Sequence, residues 1–406
     1  MTGSAYGVSK PVALYVDGSV PLGGAERRFF RLFNHLRKNG FNIYLCTSTE
    51  GADACKALGL NPDPEGTYIL PGIRGSASRM MQYWILLRRT ISLIRWLRGK
   101  KIHHLHFGSN PGASTFLYAL FSGFACPFSV SLVDSIKDYQ RNVREKLYVA
   151  GTAAFATAID CLSILIKADL CAFLGQRYVS KCKVAPCSFT ESHVPQAAVA
   201  RDIDVSLIAR MIDCKGHGLL RRALGELTSS NSSGLVVHVC GSGPLESEIR
   251  RDFAAVTNHR VHIQYEKEPF RVLLKSKVFV SLQDVDNYPS QSLLEAMSCG
   301  CAIIATDVGL TRQLLSEECA ILIRPEPAAL AEALRQVLTS PTLRCTLGAN
   351  ARRVVTTQHT IERFADYFIR EVIGTASRSE WSSTSVGSLR KAGRGRDNGF
   401  NEDAEQ

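Results

Sequence analysis

Residues 286–305 read DNYPSQSLLEAMSCGCAIIA, and two structural signals meet there. The first half is a polar loop that runs through Pro289 into a helix carrying Glu295. The second half turns at Cys299 and Gly300 into Ala302-Ile303-Ile304-Ala305, the apolar pattern of a strand buried in a parallel sheet. Pro289 is expected to open the helix, because a missing N–H costs nothing at its first position. The N–H groups of Ser290, Gln291 and Ser292 then project from the helix start and suit a phosphate. Glu295, about a turn and a half further on, is within reach of a hydroxyl on whatever carries that phosphate.

A second segment sharpens the phosphate reading. Residues 205–210, VSLIAR, read as a strand, and 211–216, MIDCKG, as the loop after it. Arg210 and Lys215 thus stand at the C-terminal end of a strand, where open α/β sheets bind ligands. A forked guanidinium with an ammonium beside it suits a diphosphate.

With these residues the chain resembles the retaining, nucleotide-sugar-dependent glycosyltransferases of the GT-B fold, family 4 type. That family carries Gly-Arg-Leu-x-x-x-Lys-Gly where this chain has Ala209-Arg210-Met211 followed by Lys215-Gly216. Its Gly-x-Gly-Pro turn is matched by Gly241-Ser242-Gly243-Pro244, and its Gly-Gly-Ala-Glu loop by Gly23-Gly24-Ala25-Glu26. The motifs occur in the family's order, and the resemblance spans residues 11–373.

The resemblance implies an α/β, GT-B architecture of two Rossmann-like domains facing across a cleft. The expected divisions are an acceptor-side domain at 1–195, a nucleotide-sugar domain at 204–358, a helix at 359–374 crossing back to the first domain, and a disordered tail at 375–406. It implies a nucleoside diphosphate sugar as donor, a UDP- or GDP-sugar, with no metal or other cofactor. Arg210 and Lys215 would hold the diphosphate. Gly23, Gly24, Gly241, Ser242, Gly243, Ser290, Gln291 and Ser292 would line the nucleotide site. Glu295 would accept from the ribose hydroxyls. The implied acceptor is a hydroxyl of a glycan or lipid-linked glycan in cell-surface polysaccharide synthesis.

The elements alternate as this architecture requires. Residues 12–16 read as a strand, 25–38 as a helix ended by Asn39-Gly40, and 41–47 as the next strand. The pattern resumes at Val205, with strands near 235–240, 261–265, 278–282 and 302–305. Alternation of this kind gives parallel sheets with ligand loops at their C-terminal ends.

Composition is that of a globular protein, with 45% hydrophobic and 21% charged residues in 406. The 13 cysteines lie mostly in apolar runs without paired C-x-x-C spacing, as reduced core thiols do. The N-terminus has no apolar signal core, so a cytoplasmic location is expected, peripheral to the membrane if the basic helix docks there. Residues 147–166 hold a single charge, Asp160, and read as a buried helix rather than a membrane span.

The net charge of +11 is unevenly spread: no acidic residue falls between Glu65 and Asp134. Inside that gap residues 79–101 read as a helix with Met80, Trp84, Leu87, Ile91 and Ile94 on one seam, accompanied by Arg88, Arg89, Arg95, Arg98, Lys100 and Lys101. The seam is expected to pack on the sheet; the alternative is that this basic, aromatic-bearing face rests on an anionic membrane. No recognition motif supports nucleic acid as a partner.

His103, His104 and His106 cluster near a strand end, with His104 and His106 on one face. The resemblance assigns His106 to the donor sugar; a metal site is the weaker reading. The family has two glutamates separated by seven residues, and counting back from Glu295 gives Asn287, with Asp286 one earlier. Asn287 is taken as the sugar-facing group, with substitution by Asp286 left open. Val133 stands before Asp134 where many members carry His. Three rivals remain: a non-catalytic nucleotide-sugar-binding protein, a GT-B epimerase, and a GT-B phosphorylase.

Overall fold

The computed structural model describes residues 10–17, 24–60, 64–70, 79–136, 143–190, 200–227, 234–286 and 288–374. The tail expected beyond residue 375 lies outside them.

The first sheet contains β1 (Val12–Tyr15), β2 (Ile43–Thr47), β3 (Thr67–Ile69), β4 (His104–Phe107), β5 (Phe128–Leu132), β6 (Ala158–Cys161) and β7 (Cys182–Val184). Their order is β3-β2-β1-β4-β5-β6-β7. The second contains β8 (Ile203–Ile208), β9 (Val236–Cys240), β10 (Arg260–Gln264), β11 (Ser276–Ser281), β12 (Ala302–Thr306) and β13 (Ala320–Ile323), ordered β10-β9-β8-β11-β12-β13. The pairings are parallel, with Leu14 opposite His106 in the first sheet and Val205 opposite Val278 in the second.

Strand order reverses between β1 and β4, and again between β8 and β11. Crossovers leave such a pair toward opposite faces, and a crevice opens beyond its carboxyl ends. The loops after β8 and β11 therefore border one crevice, and these loops hold Arg210, Lys215 and the 282–290 segment.

Each strand feeds two cores through its pleat. Ala13 and Tyr15 of β1 join Leu93, Leu97, Tyr118, Val149 and Leu170 beneath one helical layer. Val12 and Leu14 join Phe29, Phe30 and Leu36 on the other side. Phe364, Phe368 and Val372, from Ile361–Tyr367 and Phe368–Ile373, pack into this second cluster, so this segment returns to seal the first domain. Helix Gly24–Lys38 has Glu26 in its first turn and His35, Arg37 and Lys38 in its last, matching its dipole.

Two expectations are corrected. Residues 147–166 are not one helix: Val143–Phe155 is helical, β6 follows, and a new helix starts at Ile164. Apolar composition alone does not separate a buried strand from a buried helix; here β6 is claimed by pairing with both β5 and β7. The 79–101 seam also does not pack on the sheet throughout. Met80, Trp84 and Ile91 are exposed, while Leu93 and Leu97 enter the core.

Candidate active site

The loop after β8 is stitched to the turn after β9. Ala209 N–H donates to Cys240 O at 3.0 Å, and Met211 N–H to Ser242 O at 2.9 Å. A Cβ on Gly241 would lie 1.9 Å from Ala209 O, and one on Gly243 2.4 Å from Met211 O. The Gly241-Ser242-Gly243 turn thus lets two loops touch and fixes the backbone on which Arg210 stands. Gly216 holds the far end of the loop in the left-handed region, φ 74°, under Leu282 O of the β11 loop.

Arg210 is exposed and Lys215 half-buried. Burial first draws the Lys215 pKa down; the positive charge of Arg210 acts in the same direction, and Cys214 and Asp284 oppose it. Two cations so close raise each other's cost of charge, and an anion between them relieves it.

The helix beside them is Gln291–Ser298. It begins two residues later than Pro289, because Ser290 takes the cap position in extended backbone, φ −70° and ψ 124°, as serine commonly does. Ser290 makes no side-chain cap, and the first N–H groups of the helix have no acceptor within it. The projecting N–H groups are accordingly those of Gln291, Ser292 and Leu293, a shift of one from the sequence expectation. The Ser290 and Ser292 hydroxyls lie 3.3 Å apart.

Glu295 is buried, 2% exposed. Gln291 Nε2 donates to its Oε1 at 3.4 Å, and Arg31 Nη1 of the first domain lies 4.0 Å away. Gly24, which opens the Gly24–Lys38 helix, faces the same place: a Cβ there would lie 3.5 Å from Gln291 Cβ. Two helix starts therefore meet across the cleft, with a buried carboxylate one turn into the second. Gly23 and Asn287 lie outside the described residues.

Comparison with solved structures identifies the architecture. Anabaena Alr3699/HepE in complex with UDP-glucose superposes with TM-score 0.70 at 16% identity, over 88% of this chain and 98% of that one. Sucrose-phosphate synthase from Thermosynechococcus elongatus gives 0.65 at 18% identity, over 89% and 98%. WaaG, a glycosyltransferase involved in lipopolysaccharide biosynthesis, gives 0.62 at 16%, over 89% and 100%. At such identities the likeness fixes the fold. No curated protein matches the sequence. Residues 189–354 match the family described as glycosyl transferases group 1, a span that contains Arg210, Lys215 and Glu295. The fold is GT-B, and the stretch that carries Arg210, Lys215 and Glu295 resembles the glycosyl transferases of group 1.

In this fold His106 does not face the cleft. It is fully buried, with Nδ1 2.8 Å from Ser129 Oγ and Nε2 3.1 Å from Ser131 Oγ. Its ring packs 5.2 Å from Phe29 and 4.9 Å from Phe368. Burial, then the charges of His104 and Arg28, hold its pKa well below the usual range. Pairing of β4 continues to Phe107, so His106 sits inside the strand rather than at its end. Beyond it, Ser131 and Tyr367 donate to Asp160, each at 2.8 Å, and Arg28 Nη2 lies 3.6 Å from the same carboxylate. This chain of groups joins the first sheet to the C-terminal segment and has a structural role.

Asp286 is likewise engaged elsewhere: its Oδ1 accepts from Leu310 N–H at 2.7 Å. At the carboxyl end of β5, Asp134 accepts from Asn110 Nδ2 at 2.7 Å, and Asn110 Oδ1 accepts from Val133 N–H at 2.7 Å. Arg31 and Asn110 are the cleft residues that sequence reasoning missed. Arg31 lies seven residues after Gly24, two turns along the same helix face, and that spacing was the available signal.

Proposed function

We propose that the protein moves a sugar from a UDP- or GDP-sugar to a hydroxyl acceptor with retention at the anomeric carbon. What supports this reading is that the loop with Arg210 and Lys215 follows β8 and the loop into helix Gln291–Ser298 follows β11, the two strands at which strand order reverses, with Glu295 buried in that helix. The solved Anabaena complex holds UDP-glucose in the same fold, which supports a donor of this class.

As the glycosidic C–O bond breaks, negative charge grows on the β-phosphate of the leaving nucleotide. Fixed cations and N–H groups aimed there stabilise the transition state more than the ground state. Arg210 and Lys215 supply the cations, so the proposed reaction needs no bound metal. Glu295 accepts from the ribose hydroxyls, and Gly24 lets the first domain close over the diphosphate. The Gly241-Ser242-Gly243 turn borders the nucleotide. Asn287 supplies a neutral hydrogen bond to the sugar. Asp134, steadied by Asn110, borders the acceptor side. The acceptor is a glycan or lipid-linked glycan of the cell surface.

The test is a screen of UDP-, GDP- and ADP-sugars with cell-envelope lipid and glycan extracts as acceptors, in the presence and absence of phosphate. Anomeric NMR of the isolated product follows. A glycoside of the donor's configuration is expected. A sugar phosphate made only with phosphate present would make it a phosphorylase, and an isomerised nucleotide sugar an epimerase. Nucleotide binding without any product would make it a binding protein.

A further inference from the structure

The reversal of strand order between β1 and β4 gives the first domain its own crevice, at the carboxyl ends of those strands. Val16 N–H donates to Cys46 O and Gly108 N–H to Tyr15 O, each at 2.9 Å, so the sheet reaches Val16 and Asp17 stands just past it. Seven residues later Gly24 faces Gln291 of the second domain, so this edge borders the cleft.

Asp17 is seated on a buried arginine. Arg89 belongs to helix Arg79–Gly99 and is 6% exposed, on the inward face that also carries Leu93 and Leu97. Its Nη2 lies 3.7 Å from Asp17 Oδ2, an ion pair too long for a hydrogen bond. Among the described residues, Arg89 Nε and Nη2 are buried with no hydrogen-bond acceptor. Tyr15 Oη donates to the same Oδ2 at 3.4 Å. Burial, then the charge of Asp17, push the Tyr15 pKa up, so its hydroxyl stays a donor; Ser114, at the start of helix Ala113–Phe121, hydrogen-bonds it as well. The Asp17 side chain itself is 41% exposed.

This arrangement costs stability. Burying a guanidinium is unfavourable, and a long ion pair recovers only part of that. A leucine or methionine at position 89 would complete the inward face without the cost. What the arginine supplies is a carboxylate kept ionised and drawn by one oxygen into a fixed direction at a ligand crevice. A carboxylate accepts hydrogen bonds and donates none. Hydroxyls suit it; a phosphate or a second carboxylate at that place meets like charge. The exposed Asp134, held by Asn110 at the end of β5, offers acceptor oxygens at the same sheet edge, as a sugar with several hydroxyls requires.

We propose that Asp17 binds the acceptor, its Oδ1 accepting from a hydroxyl of the acceptor sugar, and that Arg89 and Tyr15 are positioning residues that act through Oδ2. This inference rests on the transfer reaction proposed above and names the group that holds its acceptor.

The test is transfer from labelled UDP-, GDP- and ADP-sugars into the cell-envelope extract, measured against extract and donor concentration. It uses the full chain, unaltered and as Asp17→Asn, Asp17→Ala, Arg89→Met and Arg89→Lys. Loss of a hydrogen bond to a charged group should raise the half-saturating extract concentration about tenfold or more in Asp17→Ala, and in the same direction in Asp17→Asn. The half-saturating donor concentration and the nucleotide-induced rise in Tm should not move. Arg89→Met should shift the acceptor dependence the same way, and Arg89→Lys should restore most of it. A merely structural arginine would instead lower the unliganded Tm and weaken donor and acceptor alike. Because Asp17 is partly exposed, its variants decide the matter even if Arg89→Met does not fold. Unchanged acceptor dependence in both Asp17 variants, or equal weakening of donor and acceptor, overturns the proposal. Nucleotide binding by the unaltered protein without transfer to any extract overturns the transfer reading and this inference with it. Absence of a nucleotide-induced rise in Tm, with transfer and its dependence on Asp17 retained, counts against the donor-site reading alone.

Discussion

Arg31 and Glu295 meet across the cleft at 4.0 Å, one from each domain. That distance is at the limit of an ion pair and beyond a hydrogen bond. Ribose hydroxyls bonded to Glu295 would make shorter, charge-assisted contacts, worth about 1.5–3 kcal/mol. Glu295→Ala should therefore weaken nucleoside diphosphate binding by roughly 10- to 100-fold. Arg31→Ala should change it by less than about threefold, since a long ion pair contributes little. Titration calorimetry of the two variants checks this; a larger loss in Arg31→Ala would reverse the assignment.

The buried Arg28–Asp160 pair makes a prediction about stability. Arg28 is 3% exposed and its guanidinium lies 4.9 Å from the ring centroids of both Phe29 and Phe364. Burial pushes its pKa down, and the carboxylate of Asp160 opposes that. Asp160→Ala leaves a buried charge without its counter-ion and should cost about 3–5 kcal/mol. Arg28→Met should cost less, because Asp160 keeps the hydroxyls of Ser131 and Tyr367. Chemical denaturation of both variants gives the comparison, and equal losses would count against it.

Buried histidines predict acid sensitivity. Burial, with His103 adding, lowers the His104 pKa to about 4, and burial with Lys215 lowers that of His217 to about 4. Above the ordinary value of about 6.5 both folded and unfolded chains hold these rings neutral. As pH falls below it, the unfolded chain takes up protons that the folded chain refuses, so stability drops until about pH 4. Each group contributes on the order of 2–3 kcal/mol over that window. His104→Gln keeps a partner for Ser129 and should make Tm fall less steeply between pH 6.5 and 4. An unchanged slope would show that His104 is not held neutral.

Gly216 tests the loop that carries Lys215. Its φ of 74° and the 2.1 Å approach that a Cβ would make to Leu282 O leave no room for alanine. Gly216→Ala should lose at least about 2 kcal/mol of stability. The shift should also move Lys215 and cut nucleotide affinity beyond what the stability loss explains. Retained affinity at normal stability would show that the loop tolerates the change.

Much of the frame was legible in sequence because it rests on local pattern. The apolar run at 302–305 became β12, and the helix expected over 25–38 was read to within one residue. The loops after β8 and β11, which carry Arg210, Lys215 and the lead into helix Gln291–Ser298, stand at the carboxyl ends of parallel strands, as the alternation of elements implied. What failed depended on burial and partners. His106 carries the composition of a site residue, yet Ser129 and Ser131 satisfy both ring nitrogens inside the sheet. The exposed Met80 and Trp84 have a helical period indistinguishable from a core-facing seam, since periodicity shows that a face is apolar but not what it meets. Spacing puts Arg31 on the helix face of Gly24, but its partner Glu295 lies 264 positions away, and that pairing is not encoded locally.

The central claim is that Arg210, Lys215 and the Gln291–Ser298 helix start hold one pyrophosphate. The direct test is the rise in Tm produced by UDP, GDP and ADP in the unaltered protein and in Arg210→Ala/Lys215→Ala. A nucleotide at one hundred times its dissociation constant adds about 2.7 kcal/mol of apparent stability. The account predicts a clear rise with at least one nucleotide, absent from a double variant whose unliganded Tm is unchanged. An equal rise in the double variant would contradict it.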